Sequence, residues 1–203
     1  SVFESGTLTS QPAAGTAQDK WTYDPLDTRP GLELEKEDIK NPLTDQRYAL
    51  NLYGNGVVYH TAPFEQDTEV SGYLKLTLWL AMDVPDTDIA VNVSEVLADG
   101  SSVALTDDEV RARYRDSLTQ AKLVKPGEIN KYEFDSFQWM SRLVKKGSRL
   151  RLVISCPNSI YVEKNYNSGG AVENETGKDA RTAHLTLYHD AQHPSALVLP
   201  IAK

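Results

Sequence analysis

Arg111, Arg113 and Arg115 stand two residues apart in one run, and Asp83, Asp86 and Asp88 cluster upstream of them around Pro85. On a strand, spacing of two places all three guanidinium groups on one face, where like charges repel unless carboxylates answer them. Two readings follow. The face is solvated and carries scattered ion pairs, or the arginines make bidentate pairs with Asp86, Asp88 or a partner domain. The second reading predicts that Arg111 or Arg113 meets Asp86 or Asp88. The aspartates beside Pro85 read as turn and capping residues, with a calcium site built from the same carboxylates as the alternative. His184, His189 and His193 read as hydrogen-bonded turn residues, since no nucleophile candidate lies near them. Cys156 is the single cysteine, so no internal disulfide can form. In the run LVISC it reads as a small buried strand residue.

The motifs that would organise catalysis are missing. The sequence holds no G-x-S-x-G, no H-E-x-x-H, no paired cysteines and no Gly-rich phosphate loop. No catalytic, cofactor-binding or metal-ligating residue is therefore assigned, and no cofactor is expected. A formal net charge of −8 argues against a nucleic-acid partner. No apolar run approaches the roughly 20 residues that span a bilayer, so no membrane partner is expected either. The opening Ser1 leads us to expect a processed product or a piece of something longer.

Strands must position these groups. Leu74, Leu76, Leu78 and Leu80 alternate with Lys75, Thr77 and Trp79. Ile89, Val91 and Val93 alternate with Ala90, Asn92 and Ser94, and Val110, Ala112 and Tyr114 with the three arginines. Each run can cover a core with one face. Turn chemistry separates them at Asp83–Asp86 and Asp99–Ser101. Upstream, residues 1–53 are loop-rich, with short strands expected at Ser5–Ser10 and Trp21–Tyr23 and a weak helix at Leu32–Lys40. Further strands are expected at Val57–His60, Glu128–Phe134, Arg149–Cys156, Ala183–Tyr188 and Ala196–Ile201. Trp139–Val144 has near-helical spacing and reads as a turn of helix or an irregular crossover. Asn158–Lys178 reads as a long polar loop, in which Asn158, Asn165 and Asn167 offer amides to a neighbouring domain or belong to a plain surface crossover. About nine or ten strands at short spacing, joined by long crossings, predict an all-β fold. The expected form is a jelly-roll sandwich of two antiparallel sheets. It would be a single domain over 1–203, with 1–56 as a loop-rich N-terminal arm.

The string APFEQDTEVSGYLKLTLWLAMDVPDTDIAVNVSEVLADGSSVALTDDEVRARYR resembles the C-terminal domain of the X-Pro dipeptidyl-peptidase and cocaine esterase family of serine hydrolases. WTYDP at Trp21–Pro25, KKGSRLRLVISCPNS at Lys145–Ser159, NYNSGG at Asn165–Gly170 and TLYHDAQHPSALVLPI near the end agree in the same order. The resemblance implies a jelly-roll similar to galactose-binding domains, attached to an α/β-hydrolase domain with a helical cap. The Ser-Asp-His triad of such enzymes lies in the hydrolase domain, so no triad residue is carried over to this chain. The implied partners are those hydrolase and cap domains, whose substrate cleft this domain helps to wall, and assembly into a homo-oligomer is also implied. X-Pro peptides, esters and amides all remain open as substrates of the parent. Two rivals stand beside this reading: a carbohydrate-binding module using Trp21 and Trp79, and a self-contained enzyme with an unrecognised serine.

Overall fold

Alternating runs become strands because period two gives each one an apolar face to bury. The computed structural model describes residues 6–11, 13, 15, 17–34, 52–156 and 162–201. In chain order the strands among them are β1 (Gly6–Leu8), β2 (Gln18–Tyr23), β3 (Gly56–Thr61), β4 (Thr68–Gly72), β5 (Lys75–Met82) and β6 (Asp88–Val96). They continue with β7 (Ser102–Arg111), β8 (Asn130–Phe134), β9 (Met140–Val144), β10 (Arg149–Ser155), β11 (Ala183–Tyr188) and β12 (Ala196–Val198). Among the described residues one short helix, α1 (Arg29–Leu34), lies between β2 and β3.

One sheet has the order β1-β3-β10-β6-β7, antiparallel except for the parallel β1–β3 pair. In the other, β5 is central. β8 pairs with one edge of β5, while β11 and then β12 pair along its opposite edge, and β2 lies outside β11. A separate ribbon, β4–β9, joins this body through a bridge from Val70 to Ile201. Leu76, Leu78 and Leu80 from β5 face Val91, Val93, Leu150 and Ile154 of the first sheet in a single buried cluster. Each such side chain contributes about 1.5–3 kcal/mol on burial. The all-β sandwich expected from the sequence is thus the observed architecture.

Several local expectations are corrected. The RARYR run is not a strand: β7 ends at Arg111 and a 3-10 turn spans Ala112–Tyr114. β7 instead begins at Ser102 and pairs with the whole of β6 through a bulge between Val93 and Ser94. Residues 140–144 form β9, not a helical turn or irregular crossover, and their partner β4 had not been anticipated. The helix begins at Arg29, earlier than Leu32, and residues 35–40 lie outside the described residues. In β10, Arg151 and Val153, which alternate with Leu150, Leu152 and Ile154, are buried as well. Val153 packs with Val58 and Leu52 on the outer side of the sheet, and Arg151 Nε donates to His60 Nε2 at 2.8 Å. Gly56 admits close contact here, since a Cβ on it would sit 2.5 Å from the Ile154 carbonyl oxygen.

Candidate functional site

The chain leaves β5 at Met82 and enters β6 at Asp88, and the turn between them carries the charged cluster. Asp86 is fully buried. Its Oδ1 accepts the Arg113 backbone N–H at 2.8 Å, and its Oδ2 accepts Arg113 Nε and Asn165 Nδ2, each at 2.7 Å. The Ala112 N–H goes to the Thr87 carbonyl at 2.9 Å. With these two donors drawn back to the 86–87 turn, the segment coils into its 3-10 turn. Asp88 and Arg111 are register partners at the ends of β6 and β7. Arg111 therefore grips Asp88 with two prongs, Nε to Oδ1 at 2.8 Å and Nη2 to Oδ2 at 3.0 Å. Arg111 Nη1 also reaches Glu163 Oε2 at 3.2 Å.

Asn165 clips the two acids together, its one amide nitrogen also reaching Asp88 Oδ1 at 3.0 Å. Its own carbonyl accepts the Asn167 N–H at 2.9 Å, and Asn167, at φ 65°, donates its amide to the Arg181 carbonyl at 2.7 Å. The loop is fastened further by Glu175, which accepts the Tyr166 N–H at 2.9 Å and the Ser168 hydroxyl. Gly169 lies at φ +84° against Pro85, where a Cβ would come within 2.8 Å of the proline ring. Asn165 and Asn167 are buried and engaged within the chain, while Asn158 lies outside the described residues. The three arginines do not share a face. Arg115 turns away to the carbonyls of Ala112 and Lys122, at 3.1 and 2.7 Å.

Burial pushes the Asp86 carboxyl above its ordinary range, and the donors from Asn165 and Arg113 counter that rise. The Asp88 carboxylate, through its hydrogen bonds, holds the Arg111 guanidinium more firmly protonated. Two acids, two guanidinium groups and one amide pair with one another, as buried charge requires, with Arg113 Nη2 left buried and without a partner. Such a cluster offers neither a nucleophile next to a base nor open oxygens for a cation. Among the described residues no group of three His, Cys, Asp or Glu side chains could hold a metal ion.

The other singled-out residues are dispersed. Exposed His184 donates its backbone N–H to Asp83 Oδ1 at 2.8 Å, and its Nδ1 lies 2.7 Å from Oδ2. Burial raises the Asp83 carboxyl, but the His184 bonds outweigh it and leave the group below its usual range. His189 meets Asp19, and His193 sits beside Asp190. Cys156 is buried just past β10, and burial pushes its thiol up to about 12, far from a nucleophile's range. Trp21 is in the core, and Trp79 has the His193 ring against it at 5.4 Å, so neither is the open platform a sugar site needs. Sequence reasoning missed Glu163, Glu175 and the ion pair between Arg142 and fully buried Glu95 at 2.6 Å. Their partners lie across loops or on another strand, and no local spacing announces them.

The fold is a β-sandwich whose charged cluster is spent inward, on holding its own loops. Residues 3–198 match the family model described as the X-Pro dipeptidyl-peptidase C-terminal non-catalytic domain, and the chain belongs to that family. It is 30% identical over 200 residues to the cocaine esterase of Rhodococcus sp. (strain MB1 Bresler), a match covering 98% of this chain and 34% of that protein. The fold is shared with an α-amino acid ester hydrolase at a TM-score of 0.84 and 19% identity, covering 98% of this chain and 35% of that one. An aminopeptidase from a marine sediment Thaumarchaeota archaeon gives a TM-score of 0.81 at 20% identity, covering 96% and 34% respectively. The chain spans about a third of the length of these relatives. The resemblance read from the sequence is borne out, and the carbohydrate-binding alternative finds no support among these relatives.

Proposed function

We propose that this chain is the supporting C-terminal part of a larger serine hydrolase acting on X-Pro peptides or on esters and amides. In that parent it packs on the hydrolase and cap domains, steadies the wall of the substrate cleft and contributes to assembly, including a homo-oligomer. The chain acts as one unit over 1–203, with 1–56 as an arm. Asp86, Asp88, Arg111, Arg113, Asn165 and Asn167 serve that role structurally by holding the 162–182 loop in one shape.

The observation that carries this reading is a family match along almost the whole chain, in a chain about a third as long as its relatives. The test compares three proteins: the parent enzyme, the parent lacking this domain, and the chain alone. Turnover is measured on an X-Pro anilide and an aryl ester, together with labelling by a fluorophosphonate. The parent is expected to turn over one substrate, the truncated parent to lose activity or thermal stability, and the chain alone to stay unlabelled. Labelling of the isolated chain, or an unaffected truncated parent, overturns the proposal.

A further inference from the structure

At one corner of the second sheet no described strand covers the edge. β2 covers the outer edge of β11 only, from Tyr23 opposite Ala183 to Gln18 opposite Tyr188. Beyond Tyr188 the chain makes the 189–195 excursion and returns to β5 as β12. No strand among the described residues pairs with the outer edge of β12. The chain before β2 crosses instead to the first sheet, where β1 is the edge strand beside β3.

Between these two edges lies a cavity of about 850 Å³. Close-packed interiors hold few voids larger than a water molecule, whereas ligand pockets run to ~300–1,000 Å³. Leu76, Leu78 and Leu187 line it from one sheet, and Tyr59, Leu152 and Ile154 from the other. The bridge between Ala13 and Asp190 and the bond from His189 N to the Ala17 carbonyl at 3.0 Å close its β2 end.

Among the described residues its lining holds one carboxylate, Asp19, and neither lysine nor arginine. The Tyr59 hydroxyl donates to Asp19 Oδ2 at 2.6 Å, and His189 Nε2 meets the same oxygen at 3.0 Å. Asp19 Oδ1 accepts no hydrogen bond from the described residues. Burial and the neighbouring carboxylate keep the Tyr59 phenol protonated, so it stays a donor that orients Asp19. The result is a largely apolar slot bordered by a carboxylate with one oxygen free of hydrogen bonds to the described residues, in a chain of net charge −8.

We propose that this slot binds a small amphiphilic amine, its alkyl or aryl body between the sheets and its ammonium on Asp19 Oδ1. The site is separate from the Asp86–Asp88 cluster and does not depend on the parent's activity.

Isothermal titration of the 203-residue chain with decylamine, decanol and decanoate, each below its micelle concentration, tests it. Decylamine is expected to bind saturably at one site, and decanoate more weakly than decanol. Asp19→Asn should weaken decylamine about tenfold or more, as loss of a charged hydrogen bond does, and leave decanol unchanged. Leu197→Trp, at the slot's β12 wall, should block both. Thermal unfolding of each variant checks that it folds. On the unmutated chain, methyl NMR should show Leu78, Leu152 and Leu187 shifting with decylamine. Equal affinity for the three head groups, an Asp19→Asn variant that binds decylamine as the parent sequence does, or shifts confined to the outer surface each overturn the proposal.

Discussion

At the scale of single residues, burial decides which charges matter. Lys122–Asp116 and Lys131–Glu133 are exposed pairs at 3.0 and 2.5 Å, and pairs of that kind contribute about 0–1 kcal/mol. Asp86 and Arg113 are buried, and removing one partner strands the other. Asp86→Ala should therefore cost about 3–5 kcal/mol in urea unfolding, while Lys131→Ala changes stability by about 0.5 kcal/mol or less. Glu109 presents a different case. Loss of surrounding water first, then the charge of Asp88, push its carboxyl up to about 7. The folded chain thus keeps a proton that the unfolded chain releases at its ordinary value of 4.5. Between those values the folded state binds more protons, so this contribution to stability is present at low pH and is lost as pH rises toward 7. Because Glu109 is exposed, solvent screening limits the effect to about 1 kcal/mol or less. Glu109→Gln should flatten the fall in melting temperature across that window. An unchanged slope would place the titration elsewhere.

At the scale of elements, the cost of losing a core side chain depends on what surrounds it. Leu80 is fully buried in β5 and does not border the slot, whereas Leu152 lines it. The penalty of a large-to-small change grows with the cavity left behind. Leu80→Ala should cost about 4–5 kcal/mol, and Leu152→Ala, whose vacated space would open into the slot rather than form a closed void, nearer 2 kcal/mol. Equal costs in urea titration would mean that the slot is filled in solution. The strands most legible in the sequence, β5, β6 and β10, carry period-two runs whose apolar side meets a facing sheet. The pairing of Arg111 and Arg113 with the acids of the 86–88 turn was also legible, because only carboxylates make closely spaced arginines tolerable. RARYR misled because its alternation is real, but Asp86 takes the Arg113 N–H that a ladder would need. Residues 140–144 misled because β9 finds its register on β4, about 70 residues upstream, as in the Ser71–Ser141 pair. Asn165 looked like a surface amide, since nothing in a polar loop says that its partners lie 77 and 79 residues away.

At the scale of the whole molecule, the sandwich is uneven. β10 sits between β3 and β6 and is buried on both faces, so its amides open only when the first sheet opens. β1 and β12 are three-residue edge strands, each with a neighbour on one side, and they flank the slot. The slot itself was invisible in the sequence, because it arises from where β2 stops relative to β12, a relation between strands far apart in the chain. Native-state hydrogen exchange should read this unevenness directly. Amides of Val153 and Ile154 should exchange at the rate set by global unfolding, while those of β1 and β12 exchange through local fraying, orders of magnitude faster. Adding decylamine should slow β12 selectively if the slot orders that edge when occupied. Protection of β12 equal to that of β10 in the free chain would show instead that the two sheets open as a single unit and that the corner is as firmly held as the centre.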